Sequence, residues 1–313
     1  MSRLDEQPSP AADLTTTAYP RRRWRLVLFS SLAGFLLTVV WSASFVDSVI
    51  GGTVADTMLG QDAEEMALGG IGAGIAFALV SGIAGTFTAC NIAVFSTMAP
   101  LVGGSGGRWQ RARLLLRPLL WLGLGMVVVS AVYGAVVGFV GTGMPQFDDA
   151  PSVPGELSGR LVQASVVFGV IGLVLVYLGL AAVGVVRDPF ARRPNGRLLF
   201  LGALVGAFLI GRPFPLFRQL FRDAAEAGDP LYGAGAFVLQ SLGNVVLMAV
   251  LLVLVSLFAG PRVGRWLAAR QGRLASLTAA GMLAAGVFLV LYWNVRLLAM
   301  RDILPWYPLA PWV

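Results

Sequence analysis

The chain has no histidine, no lysine and a single cysteine in 313 residues. Without histidine there is no Ser–His–Asp or Cys–His catalysis, no histidine-ligated haem or zinc, and no imidazole proton relay. One cysteine excludes an internal disulfide, a CxxC redox pair and a cysteine-ligated cluster held by this chain alone. No cofactor and no metal is expected on these grounds. Charge is scarce as well: 12% of the residues are charged, about half of what a soluble domain carries. What fills the space is apolar, with 57% hydrophobic residues and a mean hydropathy of +0.78. All 23 basic residues are arginine, and the net charge is +7. That excess does not call for nucleic acid, because most of the arginines sit in short loops between apolar runs, where they set membrane topology. The expected partner of such a chain is the lipid bilayer.

Apolar runs of about 20 residues recur along the whole length, the signature of an all-α polytopic membrane protein. Residues 1–20 are polar and contain Pro8, Pro10 and Pro20, which predicts a disordered cytoplasmic tail. Arg21, Arg22, Arg23 and Arg25 then precede an N-terminal transmembrane anchor over 21–46. Ser42, Ala43 and Ser44 resemble a signal-cleavage site, but the apolar stretch is longer than a signal peptide needs, which favours an uncleaved anchor. Further spans are expected over 68–101, 119–140, 161–186, 198–221, 234–258 and 277–298, for seven in all. An aromatic, proline-containing tail over 299–313 has the content of an interfacial segment.

Loops between the spans alternate in charge. Acidic ones carry Asp47 to Glu65, then Asp148, Asp149 and Glu156, then Asp223, Glu226 and Asp229. Basic ones carry Arg108 to Arg117, then Arg187 to Arg197, then Arg262 to Arg273. The positive-inside rule predicts a cytoplasmic N-terminus and an extracytoplasmic C-terminus, in a cell (plasma or inner) membrane. Spans two to four and five to seven would then be two inverted three-helix repeats, 68–186 and 198–298, with the first helix as an addition.

The first span of each unit is interrupted by residues that suit a membrane helix poorly. In the first unit Cys90 and Asn91 interrupt an apolar run that goes on to Pro100. In the second, Arg212, Pro213 and Pro215 stand inside another. Interrupted helices in corresponding halves are a sequence pointer to a working site. Cys90 is either an inert core residue or a thiol activated by a nearby cation. Arg212 has no carboxylate inside any span to neutralise it, and it reads as a hinge or an anion site, or as an arginine reaching for the headgroups. Gln240 and Asn244, four apart, share one face of span six, and Asn294 lies in span seven. These amides either bond between helices or line a polar path.

The stretches GTFTACNIAVFSTMAPL and GRPFPLFRQLF, the latter followed by GAGAFVLQSLGNVVLMAVL, resemble the transmembrane thiol–disulfide carriers of cytochrome c biogenesis, the CcdA/DsbD type. The resemblance covers about residues 68–298. It implies two inverted three-helix units, each with a cysteine on its first helix, here matched by Cys90 with Pro100 downstream. It also implies an extracytoplasmic thioredoxin-like partner. The second unit has no cysteine and no proline adjoins Cys90, so the family's disulfide relay does not carry over. Of three functions, the leading one is a non-standard carrier acting through Cys90 with a partner. Another is an exporter of a small anionic solute, as in the related amino-acid and sulfite exporters. The third is a structural subunit of a larger membrane complex, docked through the first helix and the aromatic tail. At most the chain would be a thiol–disulfide redox carrier rather than an enzyme of another kind.

Overall fold

The computed structural model describes residues 20, 22–42, 53, 56–57, 71–84, 108–148, 153–211, 215–269 and 272–312. Among them the regular structure is helical, with no strand. The helices are α1 (Arg23–Val40), α2 (Ile71–Ala84), α3 (Arg108–Val140), α4 (Gly159–Ala182), α5 (Pro194–Gly211), α6 (Pro215–Ala227), α7 (Pro230–Ala268) and α8 (Arg273–Val290). α8 continues through a π-helical turn, Leu291–Arg296, to Met300. Among the described residues six stretches are long and apolar enough to cross a membrane: Arg23–Val40, Leu115–Gly143, Gly159–Ala182, Pro194–Gly211, Pro230–Phe258 and Arg273–Met300. The shortest have 18 residues, about 27 Å of helix and close to the thickness of the hydrocarbon core. α2 holds a shorter apolar stretch, Gly74–Ile83. The rest of the expected span 68–101 lies outside the described residues.

The helical state is dictated by the solvent. Hydrocarbon offers no partner to a backbone N–H or C=O, so each span must satisfy its own. The outward faces match that reading. On α3, Leu116, Leu120, Leu124, Val128, Val132 and Val136 are exposed at every fourth residue, and α4 shows the same with Val162, Val166 and Val170. An apolar stripe of this length suits lipid and not water.

Three boundaries differ from the sequence expectation. α3 starts at Arg108 and α7 runs to Ala268, so both helices extend well beyond their apolar stretches, Leu115–Gly143 and Pro230–Phe258. Hydropathy reports where a helix meets lipid, not where it ends. The third difference is span five. Among the described residues the candidate span is Pro194–Gly211, and the amphipathic helix α6 covers Pro215–Ala227, so the second half of the expected span 198–221 is amphipathic rather than apolar all round.

Among the described residues, loops of like charge gather at the same end. Arg23 Nη1 donates to the carbonyl of Gly184 at 3.3 Å at the basic end, where Arg197 also lies 3.5 Å from Asp188. At the acidic end, Gly155 N donates to the carbonyl of Arg301 at 2.8 Å, and Asp229 caps α7 by accepting from Leu231 N at 2.8 Å. Two apolar cores fill the bundle. One joins α3, α4, α5, α7 and α8 around Leu122, Met126, Phe168, Met248 and Met282. The other, toward the acidic end, joins α2, α3, α6 and α7 around Phe77, Tyr133, Phe221 and Phe237.

Glycine lets several pairs of helices cross backbone to backbone, among them α3 with α5 and α2 with α7. A Cβ on Gly125 of α3 would overlap the Leu199 carbonyl of α5, and one on Gly202 of α5 would overlap that of Leu122. A Cβ on Gly243 of α7 would overlap the Leu79 carbonyl of α2, and one on Gly82 of α2 would overlap that of Gln240. Small residues permit this close approach in membranes.

The two ends of the described chain are clasped together. Arg296 Nη1 donates to the carbonyls of Thr38 and Trp41 at 2.7 and 2.8 Å. Ala310 N donates to Val39 and Trp312 Nε1 to Val40, at 3.0 and 3.2 Å. Tyr307 and Thr38 share a hydroxyl hydrogen bond. A helix end leaves its last carbonyls open, and here the C-terminal segment closes those of α1. The first helix and the aromatic tail thus meet each other.

Candidate functional site, a polar layer beneath an aromatic lid

α3 climbs toward the acidic end while α7 descends from it, so successive turns of the two helices form matched layers. In one of these layers Tyr133 of α3 meets Phe237 of α7, with ring centroids 5.7 Å apart. Phe221 of α6 stacks on Phe237 at 4.7 Å and an interplanar angle of 15°, and lies 6.3 Å from Tyr133, edge-on. α6 brings Phe221 here because its apolar residues Leu220, Phe221, Ala224 and Ala225 fall on one face and are buried, while Arg222 and Glu226 face out. Tyr232 of α7 ties the helix down by donating its hydroxyl to Asp223.

The Tyr133 hydroxyl turns toward polar company. It donates to Gln146 Oε1 and accepts from Gln163 Nε2 of α4 at 3.2 Å. Gln163 Nε2 also reaches the carbonyl of Ile210 at 2.7 Å. That carbonyl belongs to the last turn of α5, where a terminating helix needs outside donors.

One turn deeper lies a polar layer. Ser130 of α3 and Ser241 of α7 share a hydrogen bond. Beside them Gln240 is 1% exposed, and among the described residues neither its Oε1 nor its Nε2 has a hydrogen-bond partner. An unsatisfied buried amide costs about 1–3 kcal/mol, so its retention calls for a use. Below this layer the interior turns apolar again with Met126, Leu122, Met248 and Leu252. The polar layer is closed on one side by rings and on the other by aliphatic packing.

The predicted site residues fare unevenly. Gln240 lies in the polar layer, at the α2–α7 crossing. Asn244, on the same face one turn on, is half-buried and has a partner. Pro215 opens α6. Asn294 lies elsewhere, in the π-helical turn, accepting from Ser165 at 2.8 Å over Gly169. Cys90, Asn91, Pro100, Arg212 and Pro213 fall outside the described residues. Ile210, two residues before Arg212, is the one whose carbonyl Gln163 holds.

Sequence reasoning passed over Tyr133, Gln146, Gln163, Phe221 and Arg296. Arg296 had a visible signal, a lone cation near the end of span seven. The glutamines had only their polarity in apolar surroundings. Among the described residues no group of three or more cysteine or acidic side chains converges to hold a metal.

Neither a family model, nor a curated protein, nor a solved structure matches the chain. The resemblance to thiol–disulfide carriers gains no support from these comparisons, and what stands is a helical multi-pass integral membrane protein with six candidate spans among its described residues.

Proposed function

We propose that the protein is a membrane carrier for a small anionic solute, bound in the polar layer between two inverted three-helix units. The observation that carries this is Gln240, a buried amide with neither a donor nor an acceptor for company among the described residues. It sits where a helix of one unit crosses a helix of the other. The helix pairing supports the repeat: α2 of the first unit packs on α7 of the second, and α5 of the second packs on α3 of the first. That reciprocity is what a two-fold axis in the membrane plane would produce. With 68–101 as a span, the count is seven, with an N-terminus in the cytoplasm and a C-terminus outside. Arg212 comes directly after Gly211 at the end of α5 and supplies the positive charge for the anion, while Gln240 supplies a neutral donor.

The test is ligand-dependent thermal stability of the purified protein, using sulfite, sulfate, acetate and an acidic amino acid as probes. At least one should raise the melting midpoint of the native chain. Gln240→Leu and Arg212→Leu should each fold with equal or higher intrinsic stability and lose that response. Arg212→Lys should recover little of it, because a point charge does not replace a planar fork of donors. No response to any anion, with both leucine variants behaving as the native chain, removes the reading.

A second reading uses the same scaffold for thiol exchange. The Cys90 thiolate would attack a disulfide of a thioredoxin-like partner, forming a mixed disulfide and releasing the partner's other sulfur as a thiol. The reciprocal helix pairing that the resemblance implies favours it. A reducible adduct that disappears in Cys90→Ser is its test.

A further inference from the structure

We infer that Gln146 is a second recognition group for the solute, that its side-chain N–H groups bind an acceptor oxygen, and that this site discriminates against ligands that can only donate. The inference rests on the carrier reading for the charge of the solute, but not for the existence of the site. Its ground is the direction of one hydrogen-bond chain. The carbonyl of Ile210 can only accept, so the Gln163 atom 2.7 Å from it is Nε2. The same Nε2 lies 3.2 Å from the Tyr133 hydroxyl, which therefore accepts from Gln163 and keeps its own proton to give. That proton goes to Gln146 Oε1. Turning the Gln146 amide over would set an NH2 group against the Tyr133 proton. One backbone carbonyl thus fixes a hydroxyl and two amides, and it leaves Gln146 Nε2 at the end of the chain with two protons to donate.

Those two protons have no acceptor among the described residues, although Gln146 is only 7% exposed. The side chain is held at both ends. Its carbonyl oxygen is engaged by Tyr133, and its backbone lies in a short helical turn, Pro145–Phe147, that packs on α4. There Asp148 N donates to the carbonyl of Pro145 at 3.1 Å, and the Asp148 carboxylate accepts from Gly159 N at the start of α4, at 2.6 Å. A buried donor held in place without an acceptor is costly, and an acceptor oxygen from outside relieves that cost. The sequence neighbours Thr142, Gly143 and Pro145 are exposed, so the site lies just beneath the surface at the acidic end. The α3–α7 seam there is closed backbone to backbone, at Gly134 and Gly233 and at Gly138 and Asp229, whereas Gln146 belongs to the turn packed on α4. Gln163 has spent both Nε2 protons and Tyr133 its one, so the protons that this chain of groups leaves for a ligand are those of Gln146.

The experiment reads binding, as the shift in melting midpoint of the purified native chain with acetate, acetamide or methylammonium at constant ionic strength. Acetate should raise the midpoint, acetamide should raise it less, and methylammonium, which offers no acceptor, should leave it unchanged. Gln146→Leu should weaken acetate binding about tenfold or more, and acetamide binding by a smaller factor, because a hydrogen bond to a charged group is the stronger one. Gln163→Leu, which unpins the chain of groups without removing the donor, should weaken acetate binding by less than Gln146→Leu does. Should Gln146→Leu fail to fold, Gln146→Glu decides at alkaline pH, since it keeps an acceptor for Tyr133 and removes both N–H groups. An acetate response that survives loss of the Gln146 N–H groups means that they are spent on water or on the chain itself, and overturns the inference. If that surviving response is lost in Gln240→Leu and Arg212→Leu, the carrier reading stands without this site. A Gln146-dependent response to acetamide, with none to any anion, keeps the site and removes the anionic solute. An equal response to methylammonium, or no response to any acceptor, overturns the site.

Discussion

Two of the glycine crossings, α3–α5 and α2–α7, are built on one plan and filled differently. At the α3–α5 crossing, Gly202 presses on the carbonyl of Leu122, and the side chain of Leu122 vanishes into the aliphatic core with its neighbours. At the α2–α7 crossing, Gly82 presses on the carbonyl of Gln240, and the side chain there is an amide with nothing to bond among the described residues. Backbone geometry of the same kind thus supports an aliphatic joint in one place and a polar one in the other. The scaffold and the site are therefore separable. The glycines set how closely the helices approach, and the residue they press against sets what the joint can do.

The likeness between the joints is tested most severely through the glycines themselves. Gly125→Val, Gly202→Val, Gly82→Val and Gly243→Val each drive a branched side chain into a backbone carbonyl. Each is expected to cost about 3 kcal/mol or more, read as a large fall in melting midpoint or in yield of monodisperse protein. If the two crossings share a plan, both pairs should suffer alike. A crossing that tolerates valine would not be a backbone contact.

Exchanging the contents of the two joints should have a smaller effect with opposite signs. Leu122→Gln buries an amide in the aliphatic core and is expected to lower stability by about 1–3 kcal/mol. Gln240→Leu removes the unsatisfied amide and is expected to raise stability by about 1–2 kcal/mol. Thermal melts in one detergent decide the pair. A loss of stability in Gln240→Leu would mean that the amide is a structural bond and would remove the case for a site.

The smallest effect belongs to a glycine outside any crossing. Gly235 of α7 is exposed, and a Cβ there meets nothing within 4 Å. Gly235→Ala should stabilise by up to about 1 kcal/mol through helix propensity alone. Set beside Gly243 on the same helix, it separates the intrinsic preference of the backbone from the demands of the joint.

Much of the scaffold can be read from the chain, because lipid leaves few choices: a run of about 20 apolar residues can only be a helix. Pro213 and Pro215 cannot continue a hydrogen-bonded ladder, which is why the sequence reads as an interrupted helix there. The element beyond the break was not legible. Leu216, Phe217, Leu220 and Phe221 look like more span by hydropathy, and only the spacing of Arg218, Arg222 and Glu226 marks an amphipathic helix. Gln240 was visible as an amide on an apolar face, because polarity inside a span is rare. Its isolation was not visible, for that depends on how closely α2 and α7 cross at Gly82. The same holds for Tyr133, whose partners Gln146 and Gln163 are distant from one another in helix and loop.

The clasp between Arg296 and the end of α1 joins residues 258 positions apart. A ribosome adds about 5–20 residues per second, so roughly 13–52 s separate the synthesis of Thr38 from that of Arg296. During that interval the first helix stands in the membrane with its last carbonyls uncovered. This joint therefore closes late: α1 waits for donors from Arg296, Ala310 and Trp312, and a product cut short before Arg296 would leave those carbonyls of α1 without them.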